Sequence, residues 1–178
     1  GGGEFNVNHA VAYFPYAAGF QGGTDTAAPG GTATVTLAGT RNTHYDGPLF
    51  VVAAGNQNNC ATAMPTSDGK GWTVDVRDYR GDSYLETNPF NYVFLPYGTE
   101  NLIAGEVSNV SNTKMKNGAL INKAGNFSFT RETTGVYRLN ISGGSPAQGM
   151  LLLTSASDGG NEDDIFTYEA DGSDFLIH

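Results

Sequence analysis

Short runs in which apolar and polar residues alternate recur along the whole chain. In one of them Trp72, Val74 and Val76 fall on one side of an extended chain, with Asp75 and Arg77 on the other. A period of two is typical of strands with one buried and one solvated face, as in antiparallel sheets. The pattern predicts an all-β protein. The predicted strands cover residues 5–16, 33–38, 48–54, 71–78, 91–97, 126–130, 136–142, 150–155, 165–170 and 174–177.

The segments between these runs carry residue pairs that favour tight turns. Asp46-Gly47, Asn117-Gly118 and Asp171-Gly172 suit hairpin connections, because both residues of each pair tolerate a positive φ. A sustained 3.6-residue apolar period is missing, and only residues 99–104 suit a short helical turn. We therefore expect little helix.

Four blocks of sequence recur in the same order in the two halves of the chain. Residues 11–16 resemble 92–97, 34–37 resemble 136–139, 47–52 resemble 149–154, and 68–74 resemble 171–177. Blocks that recur in order indicate duplication of one structural unit. The alternative is two unrelated sets of alternating strands.

Duplication predicts two tandem, related, antiparallel β-sandwich-like units of the Greek-key or jelly-roll type. The first unit covers residues 5–79, a polar linker covers 80–89, and the second unit covers 90–178 with an insertion near 106–135. The second unit lacks counterparts of residues 76–79, which would leave an unpaired edge for assembly with another chain. We expect that edge at Phe175, Leu176, Ile177 and His178. A fragment of a longer repeat protein would show the same shortfall.

The charge and composition of the chain limit the classes of binding partner that we expect. The net charge is −9 with only nine Lys plus Arg, so the surface repels phosphate backbones and nucleic-acid binding is not expected. Membrane insertion is not expected either, since no apolar run approaches the ~20 residues of a span. The single cysteine, Cys60, precludes an internal disulfide.

Catalytic signatures are absent from the sequence. No Gly-x-Ser-x-Gly elbow occurs, and His9, His44 and His178 lie in separate segments without metal-ligand spacing. We expect no enzymatic activity and no obligatory cofactor. An acidic loop containing Asp158, Glu162, Asp163 and Asp164 is predicted to be solvated, with a Ca²⁺ site as the alternative.

Several aromatic residues lie in loop-like sequence, where sugar rings could stack on them. Tyr45, Tyr79 and Tyr84 are the candidates for such a ligand face. The low charge and the richness in Gly, Thr and Asn resemble repeat modules of bacterial secreted or surface proteins. That resemblance implies an extracellular or cell-surface structural or adhesive module, which binds copies of itself or neighbouring surface modules and assembles through strand edges into a fibre or surface layer. The alternative is a carbohydrate-binding accessory module with a polysaccharide partner.

Overall fold

The structure is a computed structural model that describes residues 20–39, 45–55, 59–78, 85–108, 119–124, 127–155 and 166–178. The regular secondary structure in these ranges consists of strands alone, so the all-β prediction is confirmed. The strands are β1 Gln21–Thr26, β2 Thr32–Val35, β3 Leu49–Ala53, β4 Asn59–Pro65, β5 Trp72–Asp78, β6 Pro89–Phe94, β7 Ala104–Ser108, β8 Ala119–Ala124, β9 Phe127–Thr133, β10 Val136–Ile141, β11 Tyr168–Asp171 and β12 Asp174–Ile177.

The strands form antiparallel sheets. Two sheets have three strands each, in the orders β1-β6-β3 and β2-β5-β4. A four-stranded sheet has the order β11-β12-β10-β9, and β7 pairs with β8. The β7–β8 hairpin and β9 lie in the region predicted as an insertion.

Alternation located most of the strands but not all of them. β1, β4, β7 and β8 were not predicted; β1 has the sequence Gln-Gly-Gly-Thr-Asp-Thr and owes its extended form to pairing with β6 along its whole length. The predicted strand at 150–155 is not a strand in the structure. The predicted helical turn at 99–104 contains only turns and the start of β7. The predicted strand at 5–16 lies outside the described residues.

The first hydrophobic core is built from both three-stranded sheets. Leu49, Phe90 and Phe94 of the sheet β1-β6-β3 share one buried cluster with Trp72 and Val74 of the sheet β2-β5-β4. The rings of Trp72 and Phe94 lie 5.6 Å apart between centroids. Burial of these large apolar side chains joins the two sheets.

Strand β5 departs from the predicted alternation because both of its faces are buried. Asp75 and Arg77 were expected on a polar face, yet they are only 8% and 5% exposed. Arg77 Nη2 donates to Asp75 Oδ2 at 3.1 Å. Ion pairing offsets part of the desolvation cost of these charges, which explains how they tolerate burial in a central strand.

The second hydrophobic core is smaller. Among the described residues, its buried members are Leu139, Phe175 and Ile177, and Leu151 and Leu153 pack against them from a segment that is not a strand. Within the described part of the chain, this cluster therefore contributes less apolar burial than the first one does.

Three strands of the four-stranded sheet follow the same order as the sheet β2-β5-β4. In β2-β5-β4, Val35 pairs with Trp72, and in β10-β12-β11, Leu139 pairs with Phe175. The sequence repeat makes Leu139 the counterpart of Leu37. The observed pairing instead makes Leu139 the counterpart of Val35, a shift of two residues. A shift of two keeps the same side chains on the buried face, because the side-chain period of a strand is two.

The strand that begins the predicted second unit lies in a sheet with strands of the first. β6 pairs with β1 on one side and with β3 on the other, and Phe90 and Phe94 belong to the first core. The division into units at 80–89 stays a prediction. If it holds, the second unit contributes its first strand to the first unit's core.

Candidate functional site

The four-stranded sheet has one apolar face and one charged face. Phe129, Leu139 and Phe175 lie side by side in register on the apolar face, with Ile141 beside Phe127 in the next row. Antiparallel pairing brings such neighbours within contact of each other. The result is a continuous apolar surface across β9, β10 and β12.

The opposite face centres on Arg138. Its guanidinium contacts Glu132 at 2.7 Å, Asp171 at 2.8 Å and Asp174 at 3.3 Å, and these contacts raise the arginine pKa above its usual value. A hydrogen bond from Asn140 and then one from Arg138 lower the pKa of Asp174. This partly exposed network keeps the outer face polar and turned to water.

A groove of about 500 Å³ opens along the apolar face. The four-stranded sheet forms one wall, and residues 149–153 with 101–105 form the other. The described residues that line it carry no titratable side chain. The groove therefore suits an uncharged, apolar occupant. The lining residues that belong to the second hydrophobic core are Phe129, Leu139, Leu151, Leu153, Phe175 and Ile177.

The rim of this groove exposes large apolar side chains. Met150 is 55% exposed, Ile103 is 42% exposed and Leu152 is 38% exposed. Phe50 and Leu95, from the strands and loops of the first core, also reach its lining. Contiguous exposed apolar surface is typical of an interaction site.

The predicted assembly edge is not an edge in the structure. β12, which carries Phe175, Leu176 and Ile177, is hydrogen-bonded to β10 on one side and to β11 on the other. Phe175 and Ile177 are buried, and the backbone of His178 exchanges hydrogen bonds with Thr167. Among the described strands, the edges of this sheet are β9 and β11. The prediction was wrong because the sequence does not reveal that β12 is paired on both sides.

Most other predicted site residues lie outside the described part of the chain. Tyr79 and Tyr84 do, as do the acidic residues Asp158, Glu162, Asp163 and Asp164. Tyr45 is described and is 63% exposed in a turn before β3. Tyr45 is therefore the predicted aromatic ligand residue whose exposure to solvent the structure describes.

Sequence reasoning did not identify the groove as a site. The sequence predicts Leu151 and Leu153 only as part of a strand. The signal that could have placed them against a core is the resemblance of residues 149–154 to residues 47–52. The exposed pair His178 and Glu169, 3.5 Å apart, was not foreseen either. Among the described residues, no three His, Cys, Asp or Glu side chains are arranged to hold a metal ion.

Comparison with known proteins gives no relative: no family model, curated protein or solved structure matches this chain. In the part of the chain that the structure describes, no helix has the length and apolar character needed to cross a bilayer.

Proposed function

We propose that this chain is a non-enzymatic structural or adhesive module, outside the cell or at its surface, built from two related β-sandwich-like units that associate with copies of themselves. The observation that carries the proposal is the apolar groove with its exposed rim residues Met150, Ile103 and Leu152. Leaving such surface in water costs about 25 cal/mol per Å² relative to covering it. Association with another protein surface removes that cost.

Duplication is supported by the shared strand order and by two matched packing positions. Leu49 and Val51 pack in the first core, and Leu151 and Leu153, their counterparts in the repeated block 149–154, pack against the second. Duplicated units that carry the same kinds of edges and faces suit repetitive assembly.

The test is self-association of the purified chain, followed by light scattering over a range of concentrations and by negative-stain microscopy. We expect oligomers or filaments that grow with concentration. Met150→Lys should reduce the apparent mass, because it places a charge at the groove rim. Val52→Lys is the matched control, since Val52 is 60% exposed and is absent from the groove lining. A wild-type chain that stays monomeric at every concentration contradicts the proposal.

The exposure of Tyr45 supports a second candidate, carbohydrate binding. An aromatic ring that is 63% exposed offers a flat apolar face on which a sugar ring can stack. Retention on an insoluble polysaccharide, lost in Tyr45→Ala but kept in Phe166→Ala, would support it. Phe166 is a suitable control because it is a similarly large aromatic residue, 38% exposed. Equal elution of all three proteins with the buffer front would exclude it for the polysaccharide tested.

A further inference from the structure

The segment of residues 149–153 that lines the groove corresponds in sequence to a strand that is paired in the first half of the molecule. There, β6 lies beside β3 in register, with Phe94 opposite Leu49 and Tyr92 opposite Val51. In the second half, the counterparts of Leu49 and Val51 are Leu151 and Leu153. These two leucines line the groove, and none of the described strands pairs with them.

The contact between Phe94 and Trp72 in the first core shows where an inward side chain of an added strand would lie. Phe94 of β6 packs on Trp72 with 5.6 Å between ring centroids. Phe175 is the counterpart of Trp72 by strand order and pairing, and it lines the groove. A strand seated like β6 would therefore place an inward side chain over Phe175.

One segment of this chain has the sequence pattern of β6. Residues 11–16, Val-Ala-Tyr-Phe-Pro-Tyr, resemble residues 92–97, Tyr-Val-Phe-Leu-Pro-Tyr. The match puts Val11 at the position of Tyr92 and Tyr13 at the position of Phe94. Six extended residues span about 20 Å and carry no charge at these positions, as the uncharged groove requires.

We propose that the groove accepts residues 11–16 of a second copy of this chain as an added strand, paired with residues 149–154. This inference rests on the proposed self-association and names the contact that produces it. Strand addition supplies backbone hydrogen bonds for affinity and inward side chains for specificity. The predicted register sets Tyr13 opposite Leu151 and Val11 opposite Leu153.

The position of the first described residue is compatible with exchange between two copies. Phe20 directly precedes Gln21, which pairs with Phe94. Leu95, the residue after Phe94, lines the groove. Two copies facing each other across their grooves could therefore exchange segments around a twofold axis. Each exchanged strand places Tyr13 on its inward side, and an enclosed aromatic side chain of this kind buries about 150–250 Å², so two copies bury twice that area from Tyr13 alone.

The test traps the predicted register between two separately purified full-length variants. Val11→Cys and Leu153→Cys are each made with Cys60→Ser, mixed, and oxidised. Residues directly opposite in antiparallel strands have the Cα separation that a disulfide requires. We expect a covalent dimer of doubled chain mass on a non-reducing gel that forms in the mixture far beyond the homodimer seen when either variant is oxidised alone, and that returns to a single mass on reduction. Val52→Cys replaces Leu153→Cys in the control mixture, and should give no heterodimer above background.

Each other outcome overturns the inference. Self-association measured by light scattering without the covalent heterodimer would leave the proposed function standing and remove this contact. A single chain that carries both cysteines and closes a disulfide within itself, while the mixed variants stay monomeric, would assign the groove to the chain's own segment. Tyr13→Lys provides a check that does not alter the groove: it should lower the oligomer fraction at least tenfold, and an unchanged fraction counts against the proposal.

Discussion

Replacing Phe94 by alanine should destabilise the protein more than replacing Phe175, although both side chains are buried. Phe94 is 0% exposed at the centre of the first core, in contact with Trp72. Removing its ring loses about 150–250 Å² of buried apolar surface and leaves a closed cavity. Phe-to-Ala changes of this kind cost about 3–5 kcal/mol.

Phe175 is 2% exposed, but it forms part of a wall of the 500 Å³ groove. Truncation there widens an opening that water can enter, instead of creating a sealed void. We therefore expect a loss below about 3 kcal/mol, because the cavity contribution is reduced. The difference between the two variants tests whether the second core is more open than the first.

Urea unfolding followed by tryptophan fluorescence is the assay, because Trp72 is the only tryptophan and lies in the first core. With a slope near 2 kcal/mol/M, a loss of about 4 kcal/mol lowers the midpoint by roughly 2 M. Far-UV circular dichroism reports the unfolding of all strands in parallel. Val52→Ala, at a 60% exposed position, should shift the free energy by no more than about 0.5 kcal/mol. Equal losses in Phe94→Ala and Phe175→Ala would refute the reasoning.

Two further predictions concern a turn and a surface network. Gly31→Ala should lower the free energy of unfolding in urea several times more than Gly30→Ala does. Both glycines have a positive φ, but only at Gly31 does an added Cβ meet Leu85. Similar losses of stability in the two variants would contradict this close approach. Because the pKa of Asp174 is lowered below its ordinary value of 3.8, its contribution to stability is complete above that value and is lost as the pH falls through the folded-state pKa. Asp174→Asn should therefore lose less stability than wild type on acidification below about pH 4, and parallel pH profiles would show that the Asn140 and arginine contacts do not stabilise the fold.

Local sequence determined the character of the strands and much of their position. Side chains at 72, 74 and 76 had to share a face, because a period of two is a property of the extended backbone itself. The same holds for Phe127 and Phe129, which line one face of β9 as expected. Net charge and composition likewise limited the expected partners without reference to the fold.

Only tertiary structure decided which strands pair and what lies on each second face. Asp75 and Arg77 have the sequence pattern of an exposed face but are buried, since burial depends on what packs against the sheet. β12 looked like a free edge, yet β10 and β11 enclose it, because pairing joins residues that are distant in sequence. Residues 149–154 have the sequence of a strand but form none, since a strand requires a hydrogen-bonded neighbour. In the first core β6 is that neighbour for β3, whereas none of the described strands pairs with residues 149–154.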